Sequence, residues 1–217
     1  MMAPIRALAA AGCASLVVTA ALAAGEAPIR TSMDAASDPH AGHHADTNRT
    51  TRRSEAAYVM PDVTLVRDDG RHVSLFKELD DGRPLVLNFI YTTCTTICPL
   101  SSQVFAQFQR GLGGRHSYVH LISISIDPEQ DTPAQLRSYA QQFHAQPGWD
   151  HYTGTVDSTI AVQKAFNVYR GSKMSHTPIT FMRSAPGKSW LRIDGFATAG
   201  ELLAESAQWT QPTLASR

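Results

Sequence analysis

The sequence predicts an α/β protein in which a central mixed sheet is flanked by helices in three layers. Two observations carry this. The segment 85–91 (Leu-Val-Leu-Asn-Phe-Ile-Tyr) is a nearly unbroken apolar run, the pattern of a strand covered on both faces, and 118–126, rich in Ile and Val, reads as another buried strand. Each is followed by a segment with helical spacing of its apolar residues, and the chain then closes with a hairpin and one more helix. Before the first apolar run, Val63–Val66 and His72–Leu75 bracket Asp68-Asp69-Gly70 and read as two short strands around a turn. After it, a helix begins near Pro99 and carries Leu100, Val104, Phe105, Phe108 and Leu112 on one face. Thr132-Pro133-Ala134-Gln135 has the form of a capping box with proline at the first helical position. Leu136, Tyr139, Ala140 and Phe143 supply that helix's stripe. A further helix is expected over residues 157–168, and strands at Ile179–Arg183 and Trp190–Phe196 flank Pro186-Gly187. Thr198 and Glu201 form a second capping box, opening a final helix through Leu202, Leu203 and Trp209.

Composition narrows the function. The 217 residues hold 19 Lys+Arg against 19 Asp+Glu, and no basic block that would favour nucleic acid. Arg6 is the one charged side chain before Glu26, and the uncharged stretch ends in Ala20-Ala21-Leu22-Ala23-Ala24, small residues that suit a signal peptidase. Residues 1–24 are therefore expected to direct export to the periplasm, as a cleaved signal or as an anchor retained in the inner membrane. Cys13 lies inside this segment and is expected to leave with it. Residues 25–57 lack periodicity and read as a flexible tether. Its His40, His43 and His44 are either incidental or a weak divalent-metal cluster. The folded domain is expected over residues 58–212. Export would leave it two cysteines in a compartment where disulfides persist, so free thiols there need a reductant or a metal.

Those two are Cys94 and Cys98, in Cys94-Thr95-Thr96-Ile97-Cys98-Pro99, where the first buried strand turns into a helix. Four residues apart, both sulfurs fall on one face of the opening turn, and the positive end of the helix favours thiolate. Thiolate is the nucleophile of disulfide exchange and the soft ligand that suits Cu(I). His176, in Met174-Ser175-His176-Thr177-Pro178, precedes the strand at Ile179. If that strand runs antiparallel to its neighbours, His176 lies on the same sheet edge as the cysteines and completes a two-sulfur, one-nitrogen site for Cu(I) or Cu(II). Met174 is expected to pack in the core, with a thioether ligand as its second role. Asp127 and Asp131 follow the next strand: either Asp127 lies near the metal or tunes the cysteines, or Asp127 and Asp131 only order the loop before Thr132.

The cysteine motif, Asp127-Pro128-Glu129 with Asp131-Thr132-Pro133, and His176 before a later strand together resemble the Sco/SenC family, over most of residues 58–210. The resemblance implies a thioredoxin-like fold, copper held by Cys94, Cys98 and His176, and delivery of copper to, or reduction of, the dinuclear copper site of a cytochrome c oxidase. Its partners would then be that oxidase's copper-site subunit or a similar cuproprotein, and a thiol reductant. Many members carry Pro-Asp where this chain has Thr95-Thr96. Two other functions compete. A thiol–disulfide oxidoreductase needs only Cys94 and Cys98, as a redox pair. A peroxiredoxin-like peroxidase would use Thr92 and Cys94, but the sequence assigns it no arginine to stabilise the thiolate.

Overall fold

The structure, a computed structural model, describes residues 51–209. The expected signal or anchor at 1–24, with Cys13, and the tether through residue 50, with His40, His43 and His44, lie outside the described residues. Eight strands form one mixed sheet in the order β1-β8-β7-β4-β5-β6-β2-β3. They are β1 (Arg52–Ala56), β2 (Thr64–Arg67), β3 (His72–Ser74), β4 (Leu85–Ile90), β5 (His120–Ser125), β6 (Trp149–Thr153), β7 (Ile179–Arg183) and β8 (Trp190–Asp194). The helices are α1 (Leu75–Leu79), α2 (Ile97–Leu112), α3 (Pro133–Gln142), α4 (Val156–Ala165) and α5 (Ala199–Ser206).

Every residue of β4 and of β5 is buried, and the two pair in parallel. Successive side chains point to opposite faces of the sheet. Leu85, Leu87 and Phe89 accordingly join one cluster with Leu75, Leu79, Val162 and Phe166 of the α1/α4 side. Val86 joins another with Phe105, Phe108, Leu112 and Leu202 of the α2/α5 side. Alternation within a buried, nearly all-apolar run thus builds both outer layers.

Several expectations are adjusted by packing. β1 reaches into the segment expected as tether, pairing with β8 from Arg52↔Asp194 to Ala56↔Trp190. Its Arg-Arg-Ser-Glu-Ala sequence is almost wholly exposed and is held by backbone pairing at the sheet edge, so no apolar alternation marks it. β6 has no counterpart in the sequence reading, because Asp150, His151 and Thr153 break any apolar pattern. It nevertheless pairs in parallel with β5 and buries His151 and Tyr152. α2 starts at Ile97 rather than after Pro99, which places Cys98 inside the helix, and Leu100 faces outward at 50% exposure. Thr132 caps α3 by accepting from the Gln135 backbone N–H at 3.2 Å, and Thr198 and Glu201 of α5 form both arms of their capping box. α5 ends at Ser206, short of Trp209. Among the described residues no helix is long and apolar enough to cross a membrane.

Candidate metal centre

Beyond the carboxyl ends of the parallel strands β4 and β5 lies the crevice where α/β sheets commonly hold their ligands. The loop from Tyr91 to Thr96 leads from β4 into α2 and carries Cys94 on it and Cys98 in the helix's first turn. Both are free thiols, 5% and 1% exposed. A helix start leaves backbone N–H groups unpaired, and Thr96 at the cap position makes no side-chain capping bond. Cys94 fills that role: its Sγ accepts from the Cys98 backbone N–H at 3.4 Å. Burial alone would raise the Cys94 pKa, but the backbone N–H groups of Cys98 and Thr96, with the Cys98 and Tyr91 side chains, bring it down to about 7. Burial instead pushes Cys98 far above an ordinary thiol, and the charge of its neighbour adds to the rise. One sulfur is therefore poised as thiolate and the other is a buried thiol behind it.

β7 runs antiparallel to both β4 and β8, so the condition set on His176 is met. Its Nε2 lies 3.1 Å from the Phe89 carbonyl at the end of β4. A carbonyl only accepts, so Nε2 carries the proton and Nδ1 keeps its lone pair. Burial depresses the His176 pKa and Arg170 lowers it further, against the pull of the Phe89 carbonyl. Its neutral form dominates at pH 7.

The acidic motif is where tertiary structure adds most. Asp131 is fully buried; its carboxylate accepts from the Thr92 backbone N–H at 3.1 Å, the Thr92 hydroxyl at 2.5 Å and the Ser125 hydroxyl at 2.5 Å. It locks the cysteine loop to the end of β5. Asp127 pairs with Lys173 at the start of the His176 loop, and Lys173 also sits over the Tyr91 ring, 5.7 Å from its centroid. The two acids thus anchor the cysteine loop and the histidine loop respectively. Sequence spacing gave no route to the partners Thr92, Ser125 and Lys173. Met174 does not pack in the core: it is 77% exposed, with Sδ 4.0 Å from the Tyr91 hydroxyl. Among the described residues, the group of three His, Cys, Asp or Glu donors lying mutually within 4.8 Å is Glu78, His120 and Asp150, at the other end of the sheet. Cys94, Cys98 and His176 converge on one edge without closing to that separation.

The family model described as SCO1/SenC matches residues 51–211. The SCO1 protein homolog of Bacillus subtilis (strain 168) is 36% identical over 104 residues, 48% of this chain and 53% of that protein. The chain spans about half the length, or less, of the curated relatives it matches first. Among solved structures, Bradyrhizobium japonicum ScoI with copper bound is 26% identical with a TM-score of 0.58, over 70% of this chain and 99% of that one. BsSco, described as a member of the Sco family of cytochrome c oxidase assembly proteins with a disulfide switch, shares the fold at 24% identity and a TM-score of 0.59. That match covers 71% of this chain and 94% of BsSco. Its mixed sheet and helices have the thioredoxin-like arrangement of these neighbours, and the chain belongs to the SCO1/SenC family.

Proposed function

We propose that this chain is a copper-binding assembly protein that carries copper on Cys94, Cys98 and His176. It delivers that copper to, or prepares, the dinuclear copper site of a cytochrome c oxidase. The observation that carries this reading is the Cys94 thiolate capping α2 with the Cys98 thiol at its side, on the same edge as a neutral imidazole whose Nδ1 is free to donate. The donor chemistry fits the cargo. Two sulfurs and one imidazole nitrogen suit Cu(I), and the Phe89 carbonyl holds the far side of the ring, as outer contacts do in metal-bound histidines. The copper bound by the Bradyrhizobium relative agrees with this. Copper is cargo here, so the site must also release it. The partly exposed His176 loop is then the ligand most easily withdrawn, and ligand exchange with a partner's thiolates completes transfer. The oxidase copper-site subunit or a similar cuproprotein is the proposed partner, and residues 1–24 direct the chain to the periplasm, cleaved or anchored, ahead of the tether.

A second reading rests on the same asymmetry of the thiols. As an oxidoreductase, the Cys94 thiolate attacks a disulfide of an apoprotein, forming a mixed disulfide and expelling one client thiolate. Cys98 then loses its proton and attacks Cys94 Sγ. The second client thiolate is expelled, the client leaves as a dithiol carrying two electrons, and Cys94 and Cys98 are left joined as a disulfide. Cys94 owes its low pKa to backbone N–H groups and its Cys98 and Tyr91 neighbours rather than to an arginine, which gives the peroxidase reading no support.

Anaerobic titration of the reduced chain with Cu(I) against a competing chelator separates the two. One tightly held copper, weakened at least about tenfold in His176→Ala while thiol exchange persists, is the expected result. Weak binding that His176→Ala leaves unchanged would discard copper carriage and leave the thiol reductant.

A further inference from the structure

The end of the sheet remote from the thiols carries a second, chemically different donor set. Glu78 of α1, His120 at the first position of β5 and Asp150 of β6 place donor atoms mutually within 4.8 Å. β5 runs five residue steps from His120 to Ser125, the residue that holds Asp131 at the thiol end, so roughly 17 Å separates the two ends.

His120 is 1% exposed. Its Nε2 lies 2.9 Å from Asp150 Oδ2 and its Nδ1 2.9 Å from Asp81 Oδ2, although Nδ1 completes no well-directed hydrogen bond. A proton shared between His120 and Asp150 accounts for that pair alone. It leaves unexplained why Glu78 brings a second carboxylate into the same group, where like charges oppose each other. The Tyr152 hydroxyl, 2.5 Å from Glu78 Oε2, fixes that carboxylate in place. Arg83 pairs with Asp81 and Arg67 with Asp69, and the charges of both guanidinium groups also reach Asp150.

We propose that Glu78, His120 and Asp150 form a divalent-cation site of the zinc type, with Asp81 as the outer carboxylate that orients the imidazole. One nitrogen and two carboxylate oxygens make a borderline donor set that suits Zn²⁺ and disfavours Cu(I), which prefers sulfur. Donors about 2.0–2.2 Å from a tetrahedral zinc stand about 3.3–3.6 Å from each other, so His120 and Asp150, 2.9 Å apart, must part slightly and Glu78 must approach to share an ion. A carboxylate on the second imidazole nitrogen is the usual support of a metal-bound histidine. Partial exposure of Glu78 and Asp150 gives the ion a way in. Bound there, it ties α1 to β5 and β6.

The test uses the full chain carrying Cys94→Ser and Cys98→Ser, which removes the thiolates. Zn²⁺ is titrated by calorimetry, and thermal unfolding is followed with and without Zn²⁺. The expected result is a Zn²⁺ equivalent that is lost, or weakened more than tenfold, when Glu78→Gln is added, together with loss of the Zn²⁺-dependent rise in Tm. Asp81→Asn should keep the stoichiometry and weaken binding about 10–100-fold. Asp150→Asn repeats the comparison from β6 if Glu78→Gln does not fold. Zn²⁺ binding and Tm that neither Glu78→Gln nor Asp150→Asn alters would overturn the proposal. The cluster would then be a proton-bridged ion-pair network, and any bound zinc would lie elsewhere, as on His40, His43 and His44.

Discussion

Cys94 and Cys98 are the same residue type one helical turn apart, yet their surroundings drive their ionisation in opposite directions. Both lie in one apolar cluster with Ile90, Leu136 and Tyr139, but the backbone N–H groups of Thr96 and Cys98 at the start of α2 offset burial at Cys94, whereas burial dominates at Cys98. In the reduced, metal-free chain, ultraviolet thiolate absorbance should therefore rise in one step with a midpoint near pH 7 and a second step only in strongly alkaline solution. Two thiols ionising together at an ordinary thiol pKa would contradict this account. Asp131 acts on the cysteine loop through Thr92. Asp131→Ala leaves the Thr92 N–H and two hydroxyls without their acceptor, which costs about 1–3 kcal/mol of stability. It should also lower Cu(I) affinity with both thiols still present, whereas a purely structural acid would change Tm alone. His151 supplies a pH effect. It is fully buried and its pKa is depressed to about 4 by burial, so between about pH 6.5 and 4 the unfolded chain takes up a proton that the folded chain refuses. Stability falls as pH drops through that window, by on the order of 3 kcal/mol from this residue. Asp68, raised to about 6 chiefly by burial, offsets part of the loss, because the folded state binds its proton first. Denaturant unfolding of His151→Phe at pH 6.5 and pH 4 checks this: the variant should lose less stability on acidification than the parent.

Among the elements, helix starts do most of the positioning. α3, α4 and α5 begin with a threonine whose hydroxyl accepts from a backbone N–H in the first turn, and α4 and α5 complete both arms of a capping box. α2 departs from this pattern and is capped by the Cys94 sulfur, a proposed copper ligand. Removing an ordinary cap should therefore be mild and local. Thr198→Ala is expected to cost about 1 kcal/mol in unfolding free energy and to leave copper stoichiometry intact. Cys94→Ala removes a proposed ligand and the α2 cap together, so it should lower the Tm of the metal-free chain as well as abolish copper binding. An unchanged Tm would show that Cys94 carries no capping load. The loop to β7 behaves as a separate unit, held at Lys173 by Asp127 and at His176 by the Phe89 carbonyl, which leaves it less buried than the cysteine loop.

For the molecule as a whole, stability and site are supplied from different regions. The largest aromatic cluster joins Phe166 to Tyr58, Phe89, Phe181 and Trp190, with ring centroids 4.8–5.7 Å from Phe166. It fills the sheet face opposite α2. Phe166→Ala should cost about 3–5 kcal/mol in denaturant unfolding while the folded variant still binds one copper. Loss of binding in a chain that remains folded would mean that this face controls the site more directly than the geometry indicates.

The sequence alone determined what depends on local pattern: the apolar runs that become β4 and β5, the threonine caps of α3 and α5, the β7–β8 hairpin, and the Cys94–Cys98 spacing at a strand-to-helix turn. Each is written in residues close together in the chain, where periodicity and helix-end chemistry act. Tertiary structure decided what depends on distant partners. β1 and β6 exist because neighbouring strands complete their backbone hydrogen bonds, which no side-chain pattern announces. Asp131 reaches Thr92 across 39 residues, Lys173 reaches Asp127 across 46 and His176 reaches Phe89 across 87. The antiparallel course of β7 is what carries the histidine to the thiol edge. The opposing ionisation of Cys94 and Cys98 was likewise decided in three dimensions, because burial and the direction of backbone N–H groups set it.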